Sequence, residues 1–509
     1  MTTTTAIIAC LLLAAGSAAL AGVKLPAIIG DNMVLQQGMP VPIWGSADPG
    51  ELITVSIGDQ KATATASDKG EWSVKLKSMR AGGPFEMTIS GKNSITLKNI
   101  MVGEVWVCSG QSNMQFELKD ANNGKEEVAK ATNPNLRLFS VKLQVSEAPL
   151  HDTEGSWAEC APAVAEHFSA TAYFFGRDLQ QNLDVTVGLI HTSWGGTPAE
   201  SWTPHDVLAG SPEFKPILDR WDKAVKDYPV AIKDYEKAVE QWKKDAEKAK
   251  AEGKPEPWPV WPPLGPGSAC TPSGLYNAMI SPVIPYGIKG AIWYQGESNA
   301  DRAYQYRKLF PAMIQSWRRD WKQGEFPFLF VQIANWGLPP APDTQWAELR
   351  EAQLMTLKTK HTGMAVAIDI GDAVDIHPRN KQDVGERLEL AAQAVAYGCK
   401  TEYSGPIYKS MVAEGDTVRL RFSHVGGGLV ARGGDLKGFT IASEDKKFVP
   451  AVAKIDGETV VVSAGDVKKP VAVRYAWTSN PECNLYNKAD LPASPFRTDA
   501  WSGMTADAR

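Results

Sequence analysis

Val105-Trp-Val-Cys-Ser-Gly-Gln-Ser-Asn-Met-Gln115 is the stretch on which the reading of this chain turns. An apolar run, Val105 to Cys108, stops abruptly in Gly-Gln-Ser-Asn. A buried strand that ends at a tight turn presents its next residues at the edge of the sheet. Here they include a hydroxyl, Ser112, which makes it a candidate nucleophile. Serine and asparagine also start helices, and a short serine motif alone has many chance matches. The reading therefore needs a base, an acid and an oxyanion site elsewhere in the chain.

Working outward, apolar runs alternate with helical patterns. Val105–Cys108, Val185–Ile190, Gly290–Tyr294, Phe328–Ile333 and Met364–Ile368 read as buried strands, with helices expected over Arg302–Trp321 and Gln345–Thr356. That alternation predicts an α/β fold, a parallel sheet with helices on both faces. Ligands of such sheets bind beyond the carboxyl ends of the strands. Four strands end there in polar loops: Ser-Gly-Gln-Ser-Asn, His-Thr-Ser-Trp-Gly-Gly, Gln-Gly-Glu-Ser-Asn and Asp-Ile-Gly-Asp-Ala-Val-Asp-Ile-His. This region spans 102–403. Before it, residues 22–101 hold short runs such as Val41–Trp44, Ile53–Ile57 and Trp72–Leu76 between Gly, Pro and Asp-Lys-Gly turns, which suggest a β-sandwich. Short strands return over 404–509, among them Thr417–Phe422, Thr459–Val462 and Val471–Tyr475.

One excursion, about 211–266, interrupts the α/β pattern. Phe214, Leu218, Trp221, Val225, Tyr228, Ile232, Tyr235, Val239, Trp242 and Ala246 recur at gaps of four and three. They predict one or two amphipathic helices packed on the α/β region. Pro229 should kink or break them. Pro255 to Gly267, with Trp258 and Trp261, reads as a stiff linker back to the core; its tryptophans would also suit a substrate-facing rim.

The composition is that of a globular protein, 43% hydrophobic and 22% charged, and the length allows roughly three domains. A net charge of −5 argues against a nucleic-acid partner. Residues 1–21 read as a secretory signal. Ala6 to Ala19 is apolar but too short to span a bilayer, and Ala19-Leu20-Ala21 fits the cleavage rule, although no Lys or Arg precedes the apolar core. No later segment reads as a membrane span, so the mature chain is expected to be periplasmic or secreted. After Cys10, five cysteines remain (Cys108, Cys160, Cys270, Cys399 and Cys483), an odd number with no zinc spacing.

A serine needs a neighbouring base. His377 is the best placed of the seven histidines, in an acid-rich loop after a strand, with His191 second. Asp375 is the first candidate to orient the imidazole and Asp372 the second. Oxyanion donors are sought in the Ser112 backbone, in Gly195-Gly196, whose bare backbone can approach a substrate, and in the side-chain amides of Gln295 or Asn299. Glu297, in the same loop, reads as an anchor or an orienter of the site.

Together Gly110-Gln-Ser-Asn-Met114, Trp194-Gly-Gly-Thr197, Trp293-Tyr-Gln-Gly-Glu-Ser-Asn299 and Asp375-Ile-His-Pro378 resemble the sialate O-acetylesterase family of SGNH-type hydrolases. The resemblance extends to Asp31–Gln37 and to Asn484–Asp499, nearly the whole mature chain. It implies a three-layer SGNH-like domain flanked by β-sandwich-like regions. It makes Ser112 the nucleophile and His377 the base, with Gly196 and Gln295 at the oxyanion site. Two departures stand out. The usual acid position, three residues before the histidine, is Val374, which leaves Asp375, Asp372, or a dyad helped by Glu297 or a carbonyl. Gln-Gly-Glu-Ser-Asn stands where a Gly-x-Asn loop is usual. The expected function is a secreted carbohydrate esterase that removes O-acetyl groups from sialic acids, with no metal or organic cofactor. Its partner would be an O-acetylated sugar or glycan, with no membrane insertion and the oligomeric state left open. Acetylated xylan or xyloglucan is the alternative substrate, and a non-catalytic carbohydrate-binding protein the alternative class.

Overall fold

The strand that carries Val105–Cys108 is much longer than its apolar run. In the computed structural model, which describes residues 22–338 and 345–508, β7 extends over Ser94–Gly110. The six strands before it are β1 (Val34–Gln36), β2 (Val41–Ser46), β3 (Leu52–Ile57), β4 (Gln60–Thr65), β5 (Glu71–Leu76) and β6 (Gly82–Ser90). After it come β8 (Asn133–Ser140), β9 (Ala158–Cys160), β10 (Val187–Ser193), β11 (Gly290–Tyr294), β12 (Phe328–Gln332) and β13 (Thr362–Val366). The first half of β7 pairs antiparallel with β6 and parallel with β1. Its second half pairs parallel with β10 and β11. The junction expected at 101/102 thus falls inside one strand. The two regions share a hydrophobic core, from Ile53 and Val55 through Trp106 to Phe330. No turn residue marks the junction because none is needed: the same strand changes partners.

The sheet runs β13-β12-β11-β7-β10-β8-β9. The chain goes to one side of β7 for β8 and β10 and to the other for β11 to β13, so the order reverses beside β7. Such reversals open a crevice at the strands' carboxyl ends. The helices are α1 (Ser112–Gln115), α2 (Gly124–Lys130), α3 (Pro162–Ala165), α4 (Ala170–Leu183), α5 (His205–Ala209), α6 (Lys215–Ala251), α7 (Ala303–Trp321), α8 (Gln345–Thr356) and α9 (Gln382–Tyr397). On one face Trp106 meets Phe175 of α4 edge-on at 5.1 Å, and α4 packs on α9. On the other Trp293 stacks on Phe310 of α7 at 6.1 Å, and α7 packs on α8. This is the three-layer α/β fold the sequence predicts. β4 and β8 escape sequence reading because β4 fully buries no side chain and β8 begins Asn-Pro-Asn.

The excursion is a single 37-residue helix, α6, about 55 Å long at 1.5 Å per residue. Pro229 lies inside it without breaking it. The proline removes one backbone hydrogen bond, a loss that many intact turns on either side absorb. Only the start of α6 is buried in the body, through Phe214 and Ile217. Beyond that, its apolar stripe is half-covered by the Pro-rich return segment. The Trp242 indole donates to the Pro257 carbonyl at 3.0 Å, and a Cβ on Gly265 would overlap the Tyr228 ring. Trp258 and Trp261 stand 90% and 82% exposed.

Strands after residue 404 form two four-stranded antiparallel sheets and one two-stranded sheet, Leu429–Ala431 with Leu485–Asn487, around a separate core that includes Leu420, Ile441, Val460 and Val473. Arg350 of α8, fully buried, ties this region to the parallel sheet through the carbonyls of Ile333, Ala334, Thr478 and Ser479. Cys108, Cys160, Cys270, Cys399 and Cys483 are all unpaired. The signal-like segment 1–21 lies outside the described residues.

Candidate active site

β7 ends against β11. A Cβ on Gly110 would collide with the Tyr294 carbonyl, and its φ of +144° suits glycine. The chain then turns into α1 with Ser112 as the first helical residue. The Ser112 hydroxyl caps nothing, since the cap position belongs to Gln111 and no side chain bonds there. Instead Oγ lies 2.9 Å from His377 Nε2.

His377 arrives from the loop after β13. Its backbone N–H donates to Asp375 Oδ1 at 2.8 Å, and the same oxygen stands 3.5 Å from Nδ1. That is longer than an ordinary hydrogen bond, as catalytic contacts without substrate often are. Asp372 Oδ1 accepts the N–H groups of Val374 and Asp375 and shapes the loop without touching the imidazole. Burial holds the His377 pKa below that of a free imidazole. The Asp375 charge opposes the shift and the Lys381 charge adds to it.

The residues around Ser112 clamp the neighbouring loops. Gln111 Oε1 accepts the N–H groups of Gly296 and Ser298 after β11. Gln115 Oε1 accepts from Gly195 N–H after β10 at 2.7 Å. Asn113 Nδ2 donates to Glu297 Oε1 at 2.7 Å and to the Ile376 carbonyl at 3.1 Å, while its Oδ1 accepts from Lys381 Nζ. Lys381 is fully buried over the rings of Phe116 and Tyr294. Burial pushes its pKa down to about 7, against the pull of Glu297 and Asp375. Burial pushes the Glu297 carboxyl up, and its Oε2 has no partner. Asn113 and Lys381 escaped the sequence reading. An asparagine inside a serine motif and a lysine after Arg-Asn carry no signal of burial.

Other expectations are corrected. Gln295 spends both amide hydrogens on Thr197 O and Asn299 Oδ1 and accepts from the Tyr306 hydroxyl. Asn299 donates to Glu200 and accepts from Ala199 N–H. Both side chains brace the loop, and Gln295 has no amide hydrogen left for an oxyanion. Gly195 N–H is taken by Gln115, whereas Gly196, at φ +74°, has open space where a Cβ would be. His191 is half-buried with Nε2 2.7 Å from Ser193 Oγ, and burial lowers its pKa to about 4.

Among the described residues no three His, Cys, Asp or Glu side chains converge as a metal site requires. A cleft of about 290 Å³ adjoins Gly196 and Ser298. A larger hollow of about 710 Å³ lies where β12 and β13 begin, at the opposite end of the sheet from Ser112, lined by Lys308, Arg318 and Lys360.

The family model for carbohydrate esterases described as sialic acid-specific acetylesterases matches residues 102–247 and 266–394. Sialate O-acetylesterase of Mus musculus is 32% identical over 93% of this chain and 94% of its own length. That of Homo sapiens is 30% identical over 93% and 92%. A carbohydrate acetylesterase from Xanthomonas citri, of known crystal structure, is 38% identical with a TM-score of 0.81, covering 94% of this chain and 100% of that one. With its three-layer fold and a match along nearly all of its length, the chain belongs to the sialic acid-specific acetylesterase family of carbohydrate esterases.

Proposed function

We propose that this esterase is exported and removes O-acetyl groups from sialic acids by acyl transfer through Ser112. The observation that carries the reading is the 2.9 Å approach of His377 Nε2 to Ser112 Oγ at the strand ends. His377, neutral because its pKa is low, takes the hydroxyl proton as Oγ attacks the acetyl carbonyl. The backbone N–H groups of Ser112 and Gly196, neither spent on a main-chain acceptor, stabilise the oxyanion. His377 returns the proton to the departing sugar hydroxyl. Water, deprotonated by the same imidazole, then releases acetate. Asp375 is the carboxylate that steadies the imidazolium, being the one that stands beside Nδ1. Export rests on the apolar segment before Gly22. No helix among the described residues is long and apolar enough to cross a membrane.

The sialic acid reading is supported by the names of the curated relatives. Acetylated xylan or xyloglucan is the second reading, favoured by the exposed indoles of Trp258 and Trp261, which would suit an extended glycan. Acetate release from 9-O-acetylated sialic acid, acetylated xylan and acetylated xyloglucan separates the two. Ser112→Ala should lower turnover by roughly 10⁴-fold or more on the preferred substrate. Retention of activity by Ser112→Ala would remove the serine mechanism.

A further inference from the structure

The cleft beside Gly196 takes no part in the proton transfer, yet it opens one residue from the nucleophile on two sides. A Cβ on Gly195 would stand 3.3 Å from Ser112 Cβ, and Ser298 N–H donates to Gln111. Its far wall is Arg220 and Trp221 of α6, with Leu264 of the return segment, and Arg302 completes the rim. The excursion, most of which stands away from the body, therefore builds one side of the space a substrate leaving group must occupy.

The chemistry of that wall is specific. The charged lining is two guanidinium groups and one carboxylate, Glu200. Glu200 is buried and committed. It accepts from Asn299 Nδ2 at 2.8 Å and from Arg302 at 3.1 Å, and it stands 3.8 Å from Arg220. Arg302 is further tied to Asp301. Arg220, 40% exposed at its side chain, lines the cleft while keeping that longer ion pair with Glu200. A planar guanidinium matches a carboxylate in a two-point contact, and an indole packs on the apolar face of a sugar ring. A sugar that bears a carboxylate would use both the Arg220 guanidinium and the Trp221 indole, whereas a neutral sugar would use the indole alone.

We propose that this cleft is the leaving-sugar subsite and that Arg220 and Trp221, brought in by α6, hold the carboxylate and the ring of an acidic acetylated sugar. The proposal rests on the acetyl-transfer reading of Ser112. The test compares kcat/KM on 9-O-acetylated sialic acid and on acetylated xylo-oligosaccharides for the parent, Arg220→Met, Arg220→Lys and Trp221→Leu, with folding checked by melting curves. Arg220→Met should lower the preference for the acidic sugar about tenfold or more, chiefly through KM, the worth of a charge-assisted hydrogen bond. Arg220→Lys should recover part of it, and Trp221→Leu should raise KM for both sugars. Titration of sialic acid into the Ser112→Ala protein should show binding that Arg220→Met in that background weakens. An unchanged acidic-to-neutral ratio in folded Arg220→Met, or a parent that prefers the neutral sugar, would overturn the subsite. Loss of the serine reading shows separately, as undiminished turnover by Ser112→Ala.

Discussion

Asn113 joins three loops with one side chain: it holds Glu297 after β11, the Ile376 carbonyl beside His377, and Lys381 at the start of α9. Asn113→Ala would leave a buried ammonium and a carboxylate without their bridge. A cost of about 2–4 kcal/mol is expected, seen as a lower melting temperature with a fall in kcat. In the proposed mechanism the pH profile is set by His377, whose neutral form is the base, so activity should be lost as pH falls through its pKa. Because burial lowers that pKa, the acid limb of kcat/KM should lie below that of a free imidazole. Asp375 raises the pKa and Lys381 lowers it. Asp375→Asn should therefore move the limb further down while cutting turnover about 100-fold or more, and Lys381→Met should move it up. Asp372→Asn, which alters only loop bonds, should stay near the parent. The meeting of Ser112 with His377 and Asp375 was legible because polar groups at the end of an apolar strand need a reason to be there. Gln295 and Asn299 were legible as site residues, but their orientation was not, since sequence does not tell which way an amide points.

At the scale of elements, β7, β10, β11, β12 and β13 were readable from runs of branched and aromatic residues, the signature of strands buried on both faces. The same signature fails at β4, whose Gln-Lys-Ala-Thr-Ala-Thr only half-buries two alanines, Ala62 and Ala64, against the core. α6 shows the opposite limit. Its heptad-like stripe predicted a helix correctly, but not what would cover it. The return segment does, from Pro257 at Trp242 to Gly265 at Tyr228. Proline inside a helix costs roughly 3 kcal/mol, and at Pro229 that cost falls on an arm with few contacts to the body. Pro229→Ala should slow amide exchange across the neighbouring turns of α6 and leave the global melting temperature almost unmoved. A global rise of several degrees would mean that α6 unfolds with the body.

For the whole molecule, the N-terminal strands and the parallel sheet share one core, and the C-terminal sheets have another. Hydrogen exchange under rising denaturant should release peptides covering β3 and β11 together, at one midpoint. Separate midpoints would show that β7 does not couple them. The N-terminal region looked separable in the sequence because its strands are short and alternate in polarity, whereas the strands of the parallel sheet are uniformly apolar. That contrast reports which face meets water, and it is silent on where a strand begins. The sharing of β7 also sets a rule for descent. Between residues 94 and 110 there is no place to splice that spares both neighbours, because β7 is an inner strand on both sides, between β6 and β1 in its first half and between β10 and β11 in its second. The N-terminal β-region is thus not a cassette that lineages can trade, and any chain that discards it must first find a new border for its catalytic strand.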